Sequence, residues 1–285
     1  MKLSVVNTGY FKLDGGAMFG VVPKKLWIKT NEPDQNNLCT WAMRSLLIED
    51  GDKLILIDTG IGNKQTDKFF SHYHLHGEDS LKSSIIKSGY SIDDVTDVIL
   101  THLHFDHCGG AVKWKNKDRK ILEPVFKNAT YWSNKNHWDW AMKPNPREKA
   151  SFLSNNISPI EESGQLKFIE RKNQLTKDIF QNIDIFFADG HTESQMIPII
   201  NYNGQKIAFM ADLLPSVGHI PLPYVMGYDT RPLKTLEEKS IFLKLALKNN
   251  YLLYLQHDFI NESCKLQSTE KGIRLKSTHP LADFL

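Results

Sequence analysis

The sequence predicts an α/β protein, a layered sandwich of mixed strands and helices with its ligands on the loops along one edge. Three observations predict it. Short β-rich apolar segments recur along the chain, and each stops at a polar residue able to bind metal. Their near-continuous apolar character suits strands buried on both faces, so layers must cover the sheet on either side. Helical patterns lie between them and can supply those layers.

In chain order, KLILIDTG at 53–60 ends at Asp58. DSLKSSIIKS at 79–88 reads as a helix closed by Gly89, a residue suited to a helix carboxyl cap. DVILTHLHFDH at 97–107 ends in a histidine cluster, and 110–118 reads as the start of a helix just behind it. DIFFADGH at 184–191 ends at His191, and KIAFMAD at 206–212 ends at Asp212. The stretch 235–249 opens with a capping-box pattern, Thr235 and Glu238, and spaces Phe242, Leu245 and Ala246 as a helix does. It leads into YLLYLQHD at 251–258, which delivers His257. No repeat and no low-complexity linker divides the chain, so 1–285 reads as one domain.

Composition excludes several classes. With 41% hydrophobic and 24% charged residues in 285, intrinsic disorder is ruled out as the main state. Thirty-five Lys and Arg against 33 Asp and Glu leave a net charge of +2, which argues for neither a nucleic-acid nor an anionic-membrane partner. The three cysteines, Cys39, Cys108 and Cys264, are widely spaced and contain no CxxC pair, which is no disulfide framework. The amino-terminal apolar stretch breaks at Asn7, before a signal-peptide core would be complete, and no run approaches the ~18 apolar residues of a membrane span. Cytoplasmic residence is the expectation.

The strongest chemical signal is THLHFDH at 101–107, which places four metal-competent side chains within six residues. In an extended segment alternate residues share a face, so His102 and His104 can approach one ion while Asp106 and His107, past the strand end, turn toward a second. Four groups cannot saturate two ions. His191, Asp212 and His257, at other strand ends, can complete them. Imidazoles and carboxylates without thiolates suit Zn²⁺, with Mn²⁺, Fe²⁺ or Co²⁺ as competitors.

The set LIDTG at 56–60, THLHFDH at 101–107, GHT at 190–192, AD at 211–212 and His257 resembles the metallo-β-lactamase superfamily. That resemblance implies a four-layer αββα sandwich of two similar halves with a dinuclear metal site. Position by position, it implies that His102, His104 and His191 hold the first metal and Asp106, His107 and His257 the second, with Asp212 bridging. Asp58 resembles the aspartate that orients the histidine loop without binding metal.

Gly15 to Lys24, GGAMFGVVPK, together with Phe105 and the stretch 213–228, is similar to the branch of N-acyl-homoserine lactonases and methyl-parathion hydrolases. This implies lactone opening by metal-hydroxide attack, with Asp106 shuttling a proton to the leaving alkoxide. Phosphotriester or aryl-ester hydrolysis is the nearest alternative, and nuclease action is a further one. The implied partner is a small lactone or ester. A homodimer stays open. Where several lactonases of this branch carry a tyrosine three residues after the bridging aspartate, this chain has Pro215, and Tyr224, Tyr228 and His219 are the groups that could replace it. The usual GHTPG reads Gly190-His191-Thr192-Glu193-Ser194.

Two further motifs have plain structural readings. His72, His74 and His76 follow no apolar strand and read as a solvated or pocket-rim loop, with adventitious metal binding the alternative. The aromatic stretch 131–142, with Trp132, Trp138 and Trp140, reads as a helix anchor or as an apolar wall over the metals, and Cys108 as a small buried thiol.

Overall fold

A computed structural model describes every residue except Gln181. The chain divides into two compact units, residues 1–9 with 43–171 and residues 10–42 with 172–285.

A six-stranded sheet, whose residues 2–9, 43–50, 53–57, 97–99, 130–133 and 166–168 lie in the first unit, runs in the order Lys2–Asp14, Leu38–Asp50, Lys53–Ile57, Asp97–Ile99, Thr130–Ser133 and Leu166–Phe168. Leu38–Asp50 and Lys53–Ile57 form an antiparallel pair. From there to the edge all pairs are parallel, with Ile57 opposite Ile99 and Ile99 opposite Trp132. This register sets Asp58 beside the start of the histidine loop, because both chains leave the sheet at the same edge. Val98, Leu100, Leu103, Leu56, Phe126 and Tyr131 pack into one buried core, so the strand ends rest on a rigid base.

The helix expected at 79–88 spans Leu81–Lys87. Ser80 and Ser83 cap it reciprocally, and Gly89 follows at φ 94°. Ile85 fastens it to the core, a burial worth about 1.5–3 kcal/mol. The helix expected over 110–118 does not form. Gly109–Ala111 makes one tight turn, and Val112–Trp114 then pairs with Leu122–Pro124 as a hairpin. The polar run 115–120 offers no apolar helical face, whereas β-branched Val112 buries well in a strand.

In the second unit seven strands run in the order Gly272–His279, Ser263–Thr269, Leu252–Tyr254, Gln205–Phe209, Gln195–Tyr202, Ile183–Ala188 and Leu175–Phe180. Gln205–Phe209 and Leu252–Tyr254 are parallel, with Phe209 opposite Tyr254. Two successive antiparallel pairings give Ile183–Ala188 the same direction. The segments leading to His191, Asp212 and His257 therefore all leave this sheet at one edge.

The helix before the last of these strands is Pro232–Lys248, with Phe242, Leu243 and Ala246 buried and the Phe242 ring 5.1 Å from Phe186. It starts three residues earlier than Thr235, because Pro232 occupies its first turn with φ already set. The expected capping box is absent. Thr235 and Glu238 lie buried within the helix, and the Glu238 carboxylate instead accepts hydrogen bonds from the Asp189 and Gly190 amides at 2.9 Å. Gly190 must stay glycine, since a Cβ there would come within 2.3 Å of Thr235. Among the described residues no helix is long and apolar enough to cross a membrane.

Candidate metal centre

Two clusters of imidazole and carboxylate groups stand at the carboxyl ends of these strands, one in each unit. The first is built around Asp58, which is fully buried and held at φ 58°, a left-handed conformation costing a non-glycine residue about 1 kcal/mol or more. Its Oδ1 accepts from the Thr101 amide at 2.8 Å and its Oδ2 from the Thr101 hydroxyl at 2.7 Å. The same Oδ2 lies 3.0 Å from Nδ1 of His107. One carboxylate thus ties together both ends of the histidine motif.

The strand ends at Ile99, so the motif is not an alternating extended segment as its spacing suggests. His102 and His104 lie in a loop, and Phe105–Cys108 forms a single helical turn bearing Asp106 and His107. Nε2 of His102 and Nδ1 of His104 nevertheless converge to 3.1 Å, and Nε2 of His107 stands 3.6 Å from Oδ2 of Asp106. Behind them, Nδ1 of His102 is 3.2 Å from the Thr101 hydroxyl, and Nε2 of His104 is 3.5 Å from Oε1 of Glu148. Thr59 donates to the His107 carbonyl through its amide at 2.8 Å and its hydroxyl at 3.0 Å. Cys108 turns away: its thiol donates to the Leu103 carbonyl, and burial pushes its pKa up to about 12.

The second cluster centres on Asp212. Its Oδ2 lies 3.1 Å from Nε2 of His191 and its Oδ1 2.9 Å from Nε2 of His257. The opposite nitrogens are also held, Nδ1 of His191 by Asp229 at 2.8 Å and Nδ1 of His257 by the Ala42 carbonyl at 2.7 Å. Gln195 accepts from the Asp212 amide at 3.0 Å, and Ala211 just before it sits at φ 41°. Burial opposes the charged form of His191, but Asp212 and Asp229 outweigh it and raise its pKa to about 10. A site that holds a proton so firmly between two carboxylates has the electrostatics to hold a cation.

These features fit metal ions. Every donor is an imidazole nitrogen or a carboxylate oxygen. In His102, His104, His107, His191 and His257 one ring nitrogen faces an oxygen while the other faces a neighbouring ligand candidate, the arrangement that fixes tautomer and direction in metal-binding histidines.

Asp229 and Glu148 were not singled out by sequence. Both sit on irregular segments at no fixed spacing from the histidines they touch, so only tertiary structure reveals them. The altered turn after His191 also has an account: Glu193 pairs with Arg231 at 2.8 Å, and Ser194 takes φ 51° with its amide donating to Asp189 at 3.0 Å.

The other motifs resolve as follows. His72, His74 and His76 are exposed on a loop, while Tyr73 between them packs its ring 4.7 Å from Phe105. Trp138 is buried in the core, and the indoles of Trp132 and Trp140 donate to Asp97 and Glu148. In the second unit His219 is fully engaged: Nδ1 is 2.9 Å from the Ser216 hydroxyl, Nε2 2.9 Å from the Met18 carbonyl, and its ring stacks on Phe19 at 4.4 Å. It is therefore removed from the groups that could stand in for a tyrosine at Pro215. The same packing explains the glycines of the amino-terminal motif, since a Cβ on Gly20 would lie 2.8 Å from the Val225 carbonyl.

A family model described as the metallo-beta-lactamase superfamily matches residues 44–257. Among solved structures, the chain is similar to a probable metal-dependent hydrolase from Staphylococcus aureus, with a TM-score of 0.85, 26% identity and 98% of each chain covered. It is similar to AidC, a dizinc quorum-quenching lactonase in complex with a product, N-hexanoyl-L-homoserine, with a TM-score of 0.77, 24% identity and 98% and 95% of the two chains covered. It is similar also to an N-acyl homoserine lactone hydrolase with N-hexanoyl-L-homoserine bound at its catalytic metal center, with a TM-score of 0.67, 17% identity and 90% and 93% covered. No curated protein matches the chain by sequence.

Proposed function

Since the chain belongs to the metallo-beta-lactamase superfamily and is a metal-dependent hydrolase with that family's α/β sandwich fold, we propose that it opens N-acyl-homoserine lactones or related lactones at a dinuclear centre. In this reading 1–285 works as one catalytic domain. His102, His104 and His191 hold one ion, Asp106, His107 and His257 the other, and Asp212 bridges them. Zinc is the proposed metal, and the same nitrogen and oxygen donors suit manganese, iron or cobalt. Three buried cysteines without a disulfide support a reducing, cytoplasmic setting.

The observation that carries the metal assignment is the Asp212 carboxylate, which offers one oxygen toward His191 and the other toward His257. A carboxylate so divided is placed to serve two ions. When bound, such a pair supplies an activated water at neutral pH and Lewis acidity toward a carbonyl oxygen.

The chain's own residues do the rest. Asp58, Asp229 and the Ala42 carbonyl keep the ligand imidazoles oriented. In lactone opening, water oxygen bonds to the ring carbonyl carbon, the ring C–O bond breaks, and the departing alkoxide takes a proton. Asp106, buried beside His107 on the helical turn, is the group proposed to take the proton that the attacking water gives up and to hand it to that alkoxide. The lactone substrate is supported by the bound products of the similar lactonases.

The test compares kcat/KM of metal-loaded protein on a series of N-acyl-homoserine lactones and on nitrophenyl phosphotriesters. Lactone hydrolysis that Asp106→Asn lowers at least about a hundredfold is the expected result. Turnover of phosphotriesters with no lactone opened would overturn the substrate reading, and unchanged lactonase activity in Asp106→Asn would overturn the proton-transfer role.

A further inference from the structure

We infer that Glu148 is a positioning residue for the metal centre, fixing His104 with Nδ1 toward the cation, and that the segment around it grips the histidine loop residue by residue. The inference rests on the reading of His104 as a ligand.

Three consecutive residues of the loop are held by three groups of one segment. The Leu103 amide donates to Nε2 of His137 at 2.8 Å. Nε2 of His104 faces Oε1 of Glu148 at 3.5 Å. The Phe105 amide donates to the Ser151 carbonyl at 3.0 Å. His137 is itself fixed, because Asn134 caps its helix by accepting from the His137 amide at 2.9 Å.

The Glu148 carboxylate cannot swing away. It is 3% exposed, and its Oε2 accepts from the Trp140 indole and from the Asn145 amide group, both at 2.7 Å. The far side of the His104 ring rests against Phe152 at 4.8 Å. A buried carboxylate pinned by neutral donors on one oxygen demands a proton donor on the other. Nε2 of His104, 3.5 Å away, is the group aimed at that oxygen, an electrostatic contact longer than a hydrogen bond that favours the proton on Nε2 and leaves the lone pair on Nδ1, the atom that converges on Nε2 of His102. The carboxylate also makes that imidazole a more basic ligand.

Glu148→Gln tests the assignment, because a carboxamide keeps the size and the Trp140 bond but can present an N–H to His104. Nε2 would then accept, and the proton would move to Nδ1. Three measurements apply: competition of metal-free protein with a chromogenic chelator for Zn²⁺, thermal melting of the metal-free protein, and ¹⁵N shifts of the His104 ring. The expected result is a 10- to 100-fold weaker affinity for one of two ions, an unchanged metal-free melting temperature, and a switch from the Nε2–H to the Nδ1–H tautomer. Trp140→Phe, which frees one hold on Glu148, is expected to weaken the same ion by a smaller factor and keeps the test open should Glu148→Gln not fold.

Wild-type affinity for both ions in Glu148→Gln, or an unmoved tautomer, overturns the inference. So does a variant that melts early and loses both ions equally, which is a packing effect only. A His104→Ala control that still binds two ions with wild-type affinity overturns the ligand assignment itself, so the two failures are distinguishable.

Discussion

Oδ2 of Asp58 lies 3.0 Å from Nδ1 of His107, two residues 49 apart in sequence that the parallel pairing of neighbouring strands brings together. With Thr101 on the same carboxylate, this one group aligns both ends of the histidine motif. Asp58→Asn keeps the volume but removes the charge opposite His107. It is expected to weaken metal binding 10- to 100-fold, read by chelator competition, with kcat/KM falling alongside. Wild-type affinity in this variant would show that the aspartate serves packing alone.

His191 yields a second prediction. Flanked by Asp212 and Asp229, it retains a proton up to a pKa of about 10 although burial works against it. A cation entering at Nε2 must displace that proton, so metal uptake at neutral pH is expected to release about one proton at this residue. Apparent affinity should accordingly rise as pH climbs toward 10. Calorimetry in buffers of different ionisation enthalpy measures the release, and uptake without it would contradict the pairing.

Much of this site was legible because its residues follow closely on apolar strands, and apolar segments announce themselves. The orienting Asp58 and the ligand candidates His191, Asp212 and His257 follow that rule. The register that aligns those strands was not legible, since it depends on pairing between distant segments. The turn at 232 overrode the Thr235 and Glu238 pattern because proline at a helix start outweighs a side-chain cap that can be used elsewhere. Asp229 and Glu148 escaped notice for a related reason: the loops that carry them are positioned by Arg231, Trp140 and Asn145, contacts without periodicity.

His219 was a reasonable candidate for touching substrate, and its surroundings argue otherwise. Burial pushes its pKa down to about 3, so the ring is neutral, with both nitrogens occupied and one face on Phe19. His219→Ala is expected to cost about 2–4 kcal/mol of stability from the cavity and the orphaned partners. Urea unfolding measures that loss. Both limbs of the pH profile of kcat/KM should stay in place, and a displaced limb would return His219 to the chemistry.

Lys239 governs the loop that contains His219. Its buried ammonium donates to the carbonyls of His219 at 3.0 Å, Pro221 at 3.3 Å and Tyr224 at 2.7 Å, drawing 219–224 onto the helix Pro232–Lys248. Burial lowers its pKa to about 7, against an ordinary 10.5. Between those values the unfolded chain binds a proton that the folded chain has released, so this residue makes stability rise with pH from about 7 to 10.5. Lys239→Met strands three carbonyls, that of His219 buried and those of Pro221 and Tyr224 partly so, and is expected to lose about 2–4 kcal/mol. It should also remove that rise, so the gap between wild type and variant widens with pH. Urea titrations at several pH values decide the matter: a gap that narrows with rising pH, or a variant as stable as the wild type, would show that the lysine does not anchor this loop.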